Sequence, residues 1–345
     1  MQHPRGNTVN TPSFWKTDLT SIEAAWQNAQ KASEKRILCR SAGGRPVYML
    51  AYGEKKSRGT ANYSSALGAL DKGCYAPRGQ KPAVLLIGAE HGQETEGTAA
   101  LMNLICLLET GCDLRGQRDE ALLALTEQLR LVIVPVANPD GRARVQPEAM
   151  VGCSFDELRY WGQGTWQDGS PCGWPACKRI HPIAGHTGFL GGYYNDDGIN
   201  LMHDNFFHPM AAETQALLDL CEQEAADLVI HLHGGDNCPG NFLPTHYVPL
   251  ECCRFIEELG RRCNAAGEKE NMPYVFPQEH PLPQGENPPS FNLVSACHHV
   301  CGGVSLCYES NEGLTGIPLP GFDHERILRM HRILFAESFA MVQGR

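Results

Sequence analysis

His91 and Glu94 stand three residues apart, and His231 and His233 stand two apart. At the start of a helix the first pair would share a face, and on a strand the second pair would point to one side of the sheet. Imidazole nitrogen and carboxylate oxygen are donors suited to Zn²⁺ at ~2.0–2.2 Å. Two histidines and one carboxylate that leave a fourth position open form the catalytic rather than the structural pattern of zinc. Such an ion acidifies water and polarises a carbonyl, and a nearby carboxylate can serve as general base and proton shuttle. Glu309 and Glu312, just past an apolar run, are the carboxylates in question. Each motif also has a bland reading. One His-x-x-Glu is expected by chance in about every chain of this composition, a carboxylate at a helix start favours the amide dipoles anyway, and a strand histidine is often a hydrogen-bonded core residue.

The elements that must carry these residues are legible as apolar runs. Ala83–Ala89 and Leu131–Ala137 are continuous apolar stretches bounded by turn residues, as in strands buried on both faces, the second strand running over Arg130–Ala137. The first leads into Glu90-His-Gly-Gln-Glu-Thr-Glu-Gly and the second stops at Asn138-Pro-Asp-Gly, strong turn chemistry. Asp227–His233 and Gly302–Tyr308 read as further strands, and residues 36–52 as a hairpin turning at Ser-Ala-Gly-Gly. Helical periodicity marks 21–31, 95–109, 122–129, 211–225, 252–266 and 323–342. Residues 142–199 show little periodicity and read as a long ordered insertion or loop region. Asn271–Ser290, with six prolines, reads as a loop that lies over a site. Strands alternating with helices give a single α/β domain with a mostly parallel central sheet, and ligands in such sheets gather at the carboxyl ends of strands. Four strand ends here carry the polar residues named above.

Composition narrows the function classes. The chain has 345 residues, 42% of them apolar and 20% charged, which is globular. Lys and Arg number 29 against 39 Asp and Glu, a formal charge of −10, with no basic run longer than a pair. That balance argues against nucleic acid and against an anionic membrane surface as partners. No apolar run reaches the roughly 18 residues of a membrane span, and the first residues lack a signal-peptide core. Fifteen cysteines, an odd count with scattered spacing, then favour reduced thiols and a cytoplasmic setting.

The ordered set His91-x-x-Glu94, Asn138-Pro-Asp-Gly141, Gly198-Ile-Asn-Leu201, a strand histidine before Gly-Gly, and Glu309 with Gly313 four residues on resembles the zinc carboxypeptidase (carboxypeptidase A-like) family. The resemblance covers roughly residues 36–340 and includes a Ser-x-Gly-Gly-Arg-Pro-Val lead-in similar to the family's opening hairpin. It implies a three-layer α/β/α fold with a mixed, mostly parallel sheet: a lead-in over 1–35, then one catalytic domain over 36–345 with an insertion near 142–197. It implies one catalytic Zn²⁺ held by His91, Glu94 and His233, because His233 rather than His231 matches the family's pattern. It implies Glu309 as the general base, with Glu312 a decoy, while Glu90 and Glu96 flank the motif without matching its ligand positions.

The departures bear on substrate. After Gly-Ile-Asn-Leu the family carries an Asn-Arg pair that grips a terminal carboxylate, whereas this chain reads Met202-His203-Asp204-Asn205. Asn200 and His203 are therefore the substrate-binding candidates, and a histidine does not replace arginine's bidentate fork. For the arginine that stabilises the oxyanion, the candidates are Arg142, Arg144 and Arg159, of which Arg159 in Leu-Arg-Tyr-Trp-Gly resembles the family most. The family's tyrosine upstream of the catalytic Glu has no counterpart between Val275 and Cys307, where His280, His298 and His299 stand instead. The stretch from Gly141 to Gly198 also looks longer than in the digestive enzymes. A second zinc on Cys153, Cys172, Cys177, His181 and His186 is weighed against free thiols in a packed insertion.

The expectation is a zinc-dependent hydrolase acting on a peptide or amide bond of a short peptide or an acylated amino acid. Its alternatives are an N-acyl amino acid deacylase or cell-wall-peptide amidase on the same fold, and a non-catalytic binding protein, whose sign would be a lost ligand or base. All four positions are filled. No serine-nucleophile elbow, phosphate loop or dinucleotide fingerprint is present. Oligomeric state is left open.

Overall fold

The apolar runs become the middle of a sheet. The computed structural model describes residues 10–66, 72–76, 80–277 and 289–344. Its strands are Glu34–Arg40 (β1), Pro46–Tyr52 (β2), Ala83–Gly88 (β3), Arg130–Val134 (β4), Gly164–Trp166 (β5), Thr187–Leu190 (β6), Leu228–Gly234 (β7), Gly240–Leu243 (β8), Tyr274–Val275 (β9) and Val304–Ser310 (β10). Eight of them form one sheet in the order β1-β2-β4-β3-β7-β10-β8-β9, and β5 pairs with β6 apart from it. The central neighbours β4, β3, β7 and β10 run parallel, while the hairpin joins β4 antiparallel. Every residue of β3 and β4 is buried, so these strands need apolar side chains on both faces and show no alternation.

The helices are Leu19–Asn28 (α1), Lys72–Tyr75 (α2), Glu96–Thr110 (α3), Glu120–Thr126 (α4), Pro139–Arg144 (α5), Phe155–Gln163 (α6), Ala212–Glu224 (α7), Leu250–Gly267 (α8), Leu293–Cys301 (α9) and His324–Gln343 (α10). Leu50, Leu86, Ile133 and Ile230 face a core shared with α1, α3, α4, α8 and α10. Met49, Leu85, Val132 and Val229, one residue out of phase, face a second core shared with α7 and α9. The result is the three-layer α/β fold with a mixed, mostly parallel sheet. No helix among the described residues is long and apolar enough to cross a membrane.

The structure departs from the sequence reading where local chemistry overrides periodicity. Asn138-Pro-Asp-Gly is a helix start rather than a plain turn: the Asn138 side chain accepts from Gly141 N at 2.8 Å and Pro139 occupies the first turn of α5. The insertion contains α6, opened by a reciprocal Ser154–Glu157 capping box, and the β5–β6 hairpin. Helix α9 was not expected at all. Of the proline-rich loop, residues 278–288 lie outside the described residues, and its first part supplies the two-residue β9.

At the amino end of β4, Arg130 is buried with Glu224, its Nε 3.0 Å from Oε2 and both side chains 1% exposed. It also donates to Glu34, Ser33 Oγ and the Gly53 carbonyl, so one guanidinium ties β1, β2 and α7 to the sheet. Burial pushes the Glu224 carboxyl up, but Arg130 and then Lys55 outweigh burial and hold it below the usual carboxylate range. Arg130→Ala is expected to lower the unfolding free energy by about 3 kcal/mol, read from urea melts, with Lys55 at 3.1 Å keeping the loss at the low end for a broken buried pair. Because the folded pKa of Glu224 is depressed, its stabilisation is present above the unfolded pKa and is lost as pH falls through the folded one. Wild-type protein should therefore lose stability on acidification below about pH 4.5 more steeply than Glu224→Gln.

Candidate metal centre and catalytic cavity

Parallel β3 and β7 are adjacent, with Gly88 opposite Leu232, so both chains leave the sheet at the same end. Ala89 takes a left-handed φ of 46° as the chain leaves β3. His91 and Glu94 then sit in a turn closed by Glu94 N donating to His91 O at 3.1 Å, ahead of α3 rather than on it. The turn packs so tightly on α5 that a Cβ on Gly92 would come within 2.1 Å of Arg142 N. A glycine is required there by this close approach.

The Glu94 carboxylate lies between the two imidazoles, Oε1 at 2.8 Å from His91 Nδ1 and Oε2 at 2.7 Å from His233 Nδ1. Donor atoms of these three buried residues all fall within 4.8 Å of one another, and among the described residues they are the only such group. The outer nitrogens are also engaged. His91 Nε2 meets Asn200 Oδ1 at 3.2 Å, and His233 Nε2 meets Glu90 Oε2 at 3.3 Å. Glu90 Oε1 also binds His231 Nδ1, so His231 is a supporting residue and His233 the donor. An imidazole whose far nitrogen is fixed by a carboxylate or amide oxygen is oriented for metal ligation.

The charge of this pocket fits a divalent cation. Burial raises Glu90 and Glu94, yet the neighbouring histidines outweigh it and keep both carboxyls below the usual range. In turn Glu94 and Glu90 outweigh burial and push the His233 imidazole well above its ordinary range, so the pocket favours positive charge between its carboxylates, and nitrogen plus carboxylate donors suit zinc.

The three donors open into a cavity of about 650 Å³. Glu309 on β10 is in register with His233 on β7, so the two side chains leave the sheet on the same side and both line the cavity. Burial, with Glu94 and Asp236 adding to it, lifts the Glu309 carboxyl to about 7, against the pull of His233 and a hydrogen bond from Asn241. Glu312 also reaches the cavity, but its Oε2 is spent on Asp236 N at 2.8 Å. Burial and the neighbouring Glu96 push it well above the carboxylate range.

The arginine candidates separate cleanly. Arg142 is buried and donates to the carbonyls of Thr17, Val145 and Pro147. Arg144 is bound to Leu190 O, Gly191 O and Asp196. Arg159 alone of the three lines the cavity, its nearest carboxylate Asp156 at 3.9 Å. His203 lines the cavity as well. Asn200, expected at the substrate, is instead buried, its oxygen shared between His91 and Met202 N at 3.0 Å, because it caps the 3₁₀ turn Leu201–His203. The cysteine–histidine set does not assemble. Cys153 packs with Met150 and Trp161, Cys172 and Cys177 pack with Ile183 and Tyr194, and His181 faces Asp204.

Among the cavity residues that sequence reasoning missed, three touch the groups of the site directly. Tyr193 stacks on His91 with centroids 4.0 Å apart, Gln93 Nε2 donates to Glu94 Oε1 at 3.2 Å, and Lys178 Nζ stands 2.7 Å from His203 Nε2. Gln93 lay inside the motif itself. Tyr193 and Lys178 lie in the insertion, where no period marks which side chains turn inward.

Comparison with known proteins agrees with this geometry. The sequence model of the family described as zinc carboxypeptidase matches residues 20–240. No curated protein gives a significant match. Among solved structures, a metallo-carboxypeptidase from Burkholderia cenocepacia aligns at TM-score 0.57 and 16% identity over 94% of this chain and 68% of its own. One from Pseudomonas aeruginosa aligns at 0.53 and 15%, over 94% and 68%. The carboxypeptidase A from Helicoverpa armigera aligns at 0.52 and 14%, over 96% and 75%. At such identities these likenesses speak for the fold alone.

Protein purified without chelator is expected to carry about one zinc per chain by elemental analysis. His233→Ala should lose it, and Cys172→Ala and Cys177→Ala should keep it. Zinc retained in His233→Ala would move the ion away from this pocket.

Proposed function

The chain belongs to the zinc carboxypeptidase family, and we propose that it hydrolyses a peptide or amide bond in a short peptide or acylated amino acid. The observation that carries this reading is the in-register pairing of His233 with Glu309, which puts a half-buried carboxylate beside the converging donors His91, Glu94 and His233. A zinc ion held by those donors supplies a Lewis acid that acidifies water and polarises a carbonyl.

The remaining work falls to the chain's own groups. Glu309, as carboxylate, accepts a proton from the attacking water and returns it to the leaving nitrogen. A pKa lifted to about 7 by burial suits it to both halves of that transfer. Arg159 presents guanidinium N–H groups to the cavity, where they donate to the oxygen that gains charge as the carbonyl is attacked. Asn200 and Glu90 are positioning residues. They fix the far nitrogens of His91 and His233 and so set which nitrogen of each ring faces the carboxylate of Glu94. Tyr193, flat against His91, covers the ring and limits its rotation.

A second reading, deacylation of an N-acyl amino acid or cleavage of a cell-wall peptide amide, is favoured by His203, which stands where the family's carboxylate-gripping arginine would. Peptides with free and blocked carboxyl termini separate the two.

Glu309→Gln keeps size and packing but removes the proton acceptor. Turnover of a substrate that the wild type cleaves should fall by about 10²–10⁴-fold with zinc content unchanged. Arg159→Met should lower kcat by about 10²–10³-fold with little change in zinc. Full turnover in Glu309→Gln would overturn the mechanism.

A further inference from the structure

The cavity holds a cation that the proposed chemistry does not use. Lys178 belongs to the 3₁₀ turn Ala176–Arg179 in the insertion and lines the same cavity as His91, Glu94, His233 and Glu309. Its Nζ stands 2.7 Å from His203 Nε2 and 3.6 Å over the ring of Trp174. Both neighbours are uncharged. Burial, and then the ammonium beside it, push His203 down to about 3, so its Nε2 accepts and the lysine donates. Among the described residues no carboxylate lies within ion-pair distance of Lys178, whereas Arg159 has Asp156 nearby. The residue as a whole is exposed, yet with imidazole and indole against the ammonium, desolvation brings its pKa down to about 8.

The cavity is therefore electrostatically two-sided. One side carries Glu94 and Glu309 with the metal donors, and the other carries an ammonium without a counter-ion, seated on neutral rings. His203 fixes the spacing between the sides, because it ends the turn that Asn200 opens, and Asn200 holds His91. An amide placed at the metal side with a carboxylate a few bonds away would complete both.

Resting on the hydrolase reading above, the geometry points to Lys178 as the specificity-determining cation of the site, selecting substrates that carry a free carboxylate close to the scissile amide, with His203 as its neutral seat and Trp174 as its cover. An ammonium is a point charge rather than a planar fork. It accepts a carboxylate in several orientations, so the recognition is of charge and position more than of bidentate geometry. His203 takes a different role from the one its place in the sequence suggested. It aims the cation and is not the cation.

The test compares an N-acetyl dipeptide bearing a free carboxyl terminus with the same peptide as its amide, on zinc-loaded wild type, Lys178→Met and Lys178→Arg. Wild type should prefer the acid in kcat/KM by about 10- to 100-fold, the range for one charge-assisted hydrogen bond. Lys178→Met, which keeps the apolar stem against Trp174, should erase that preference by raising KM for the acid while leaving kcat and the amide almost unchanged. Lys178→Arg should restore most of it. Calorimetric binding of the same two peptides to zinc-loaded Glu309→Gln, with and without Lys178→Met, reads the same preference without turnover. Equal treatment of acid and amide by the wild type, binding of neither, or a preference that survives Lys178→Met would overturn the assignment. Selective binding of the acid with no cleavage by the wild type would instead sink the hydrolase reading and leave Lys178 in its role.

Discussion

One carboxylate between two imidazoles is the constraint from which the rest of this site is built. Glu94 can meet His91 and His233 within 2.8 Å only if β3 and β7 are neighbours and parallel, so that their carboxyl ends open at the same edge. That adjacency in turn demands strands buried on both faces, and the backbone must then turn away from the sheet within a few residues. Gly92 against α5 and Gly97 against Leu232, where a Cβ would come within 2.5 Å of the Leu232 Cβ, are the places where the turn and helix α3 press on their surroundings. Side chains larger than hydrogen at either position would push the donors apart.

Gathering acids in so small a volume has a cost that the structure meets in two ways. Glu90 and Glu94 are kept ionised by imidazoles on either side, which is the state a metal donor or its orienting partner needs. Glu96 and Glu312 are just as buried but lack such partners, and burial pushes both carboxyls up, to about 8 for Glu96. Neutral at ordinary pH, they add no charge to the cluster. Glu309 falls between these cases, because His233 and Asn241 offset only part of its desolvation. The three behaviours follow from contacts rather than from residue type.

Much of this was legible in the sequence because strands buried on both faces leave unbroken apolar runs. The residues just beyond such runs are the ones delivered to the sheet's edge. His91, Glu94, His233 and Glu309 are all of that kind. Asn200 was found but given a different role, since Gly-Ile-Asn-Leu does not say whether the amide faces the cavity or caps the turn that follows. Lys178 and Tyr193 were invisible for a physical reason. They lie in a segment whose shape comes from side chain to backbone bonds rather than from periodic burial, so nothing in the residue pattern marks an inward face. Helix α9 was missed although Asn292 and Gly302 cap it at both ends. Its nine residues are nearly all buried, so no amphipathic stripe announces it.

The arginines of the insertion show how such a segment still becomes rigid. Arg142 and Arg144 resemble catalytic candidates because they follow Asn138-Pro-Asp-Gly, yet their guanidiniums are consumed by backbone carbonyls of residues 145, 147, 190 and 191. Five donors in a fixed fork can stitch several loops at once, which suits arginine to holding irregular chain in place. With the insertion anchored in this way, α6 carries Arg159 to the cavity wall, and the turn at 176–179 with the residues just before it carries Lys178 and Trp174. The reacting groups are thus set by strand ends, whose register tolerates no slip, and the wall that faces the substrate by a segment tied down at a few points. Changes in that wall can alter which substrate is accepted without disturbing how Glu94 meets its two histidines.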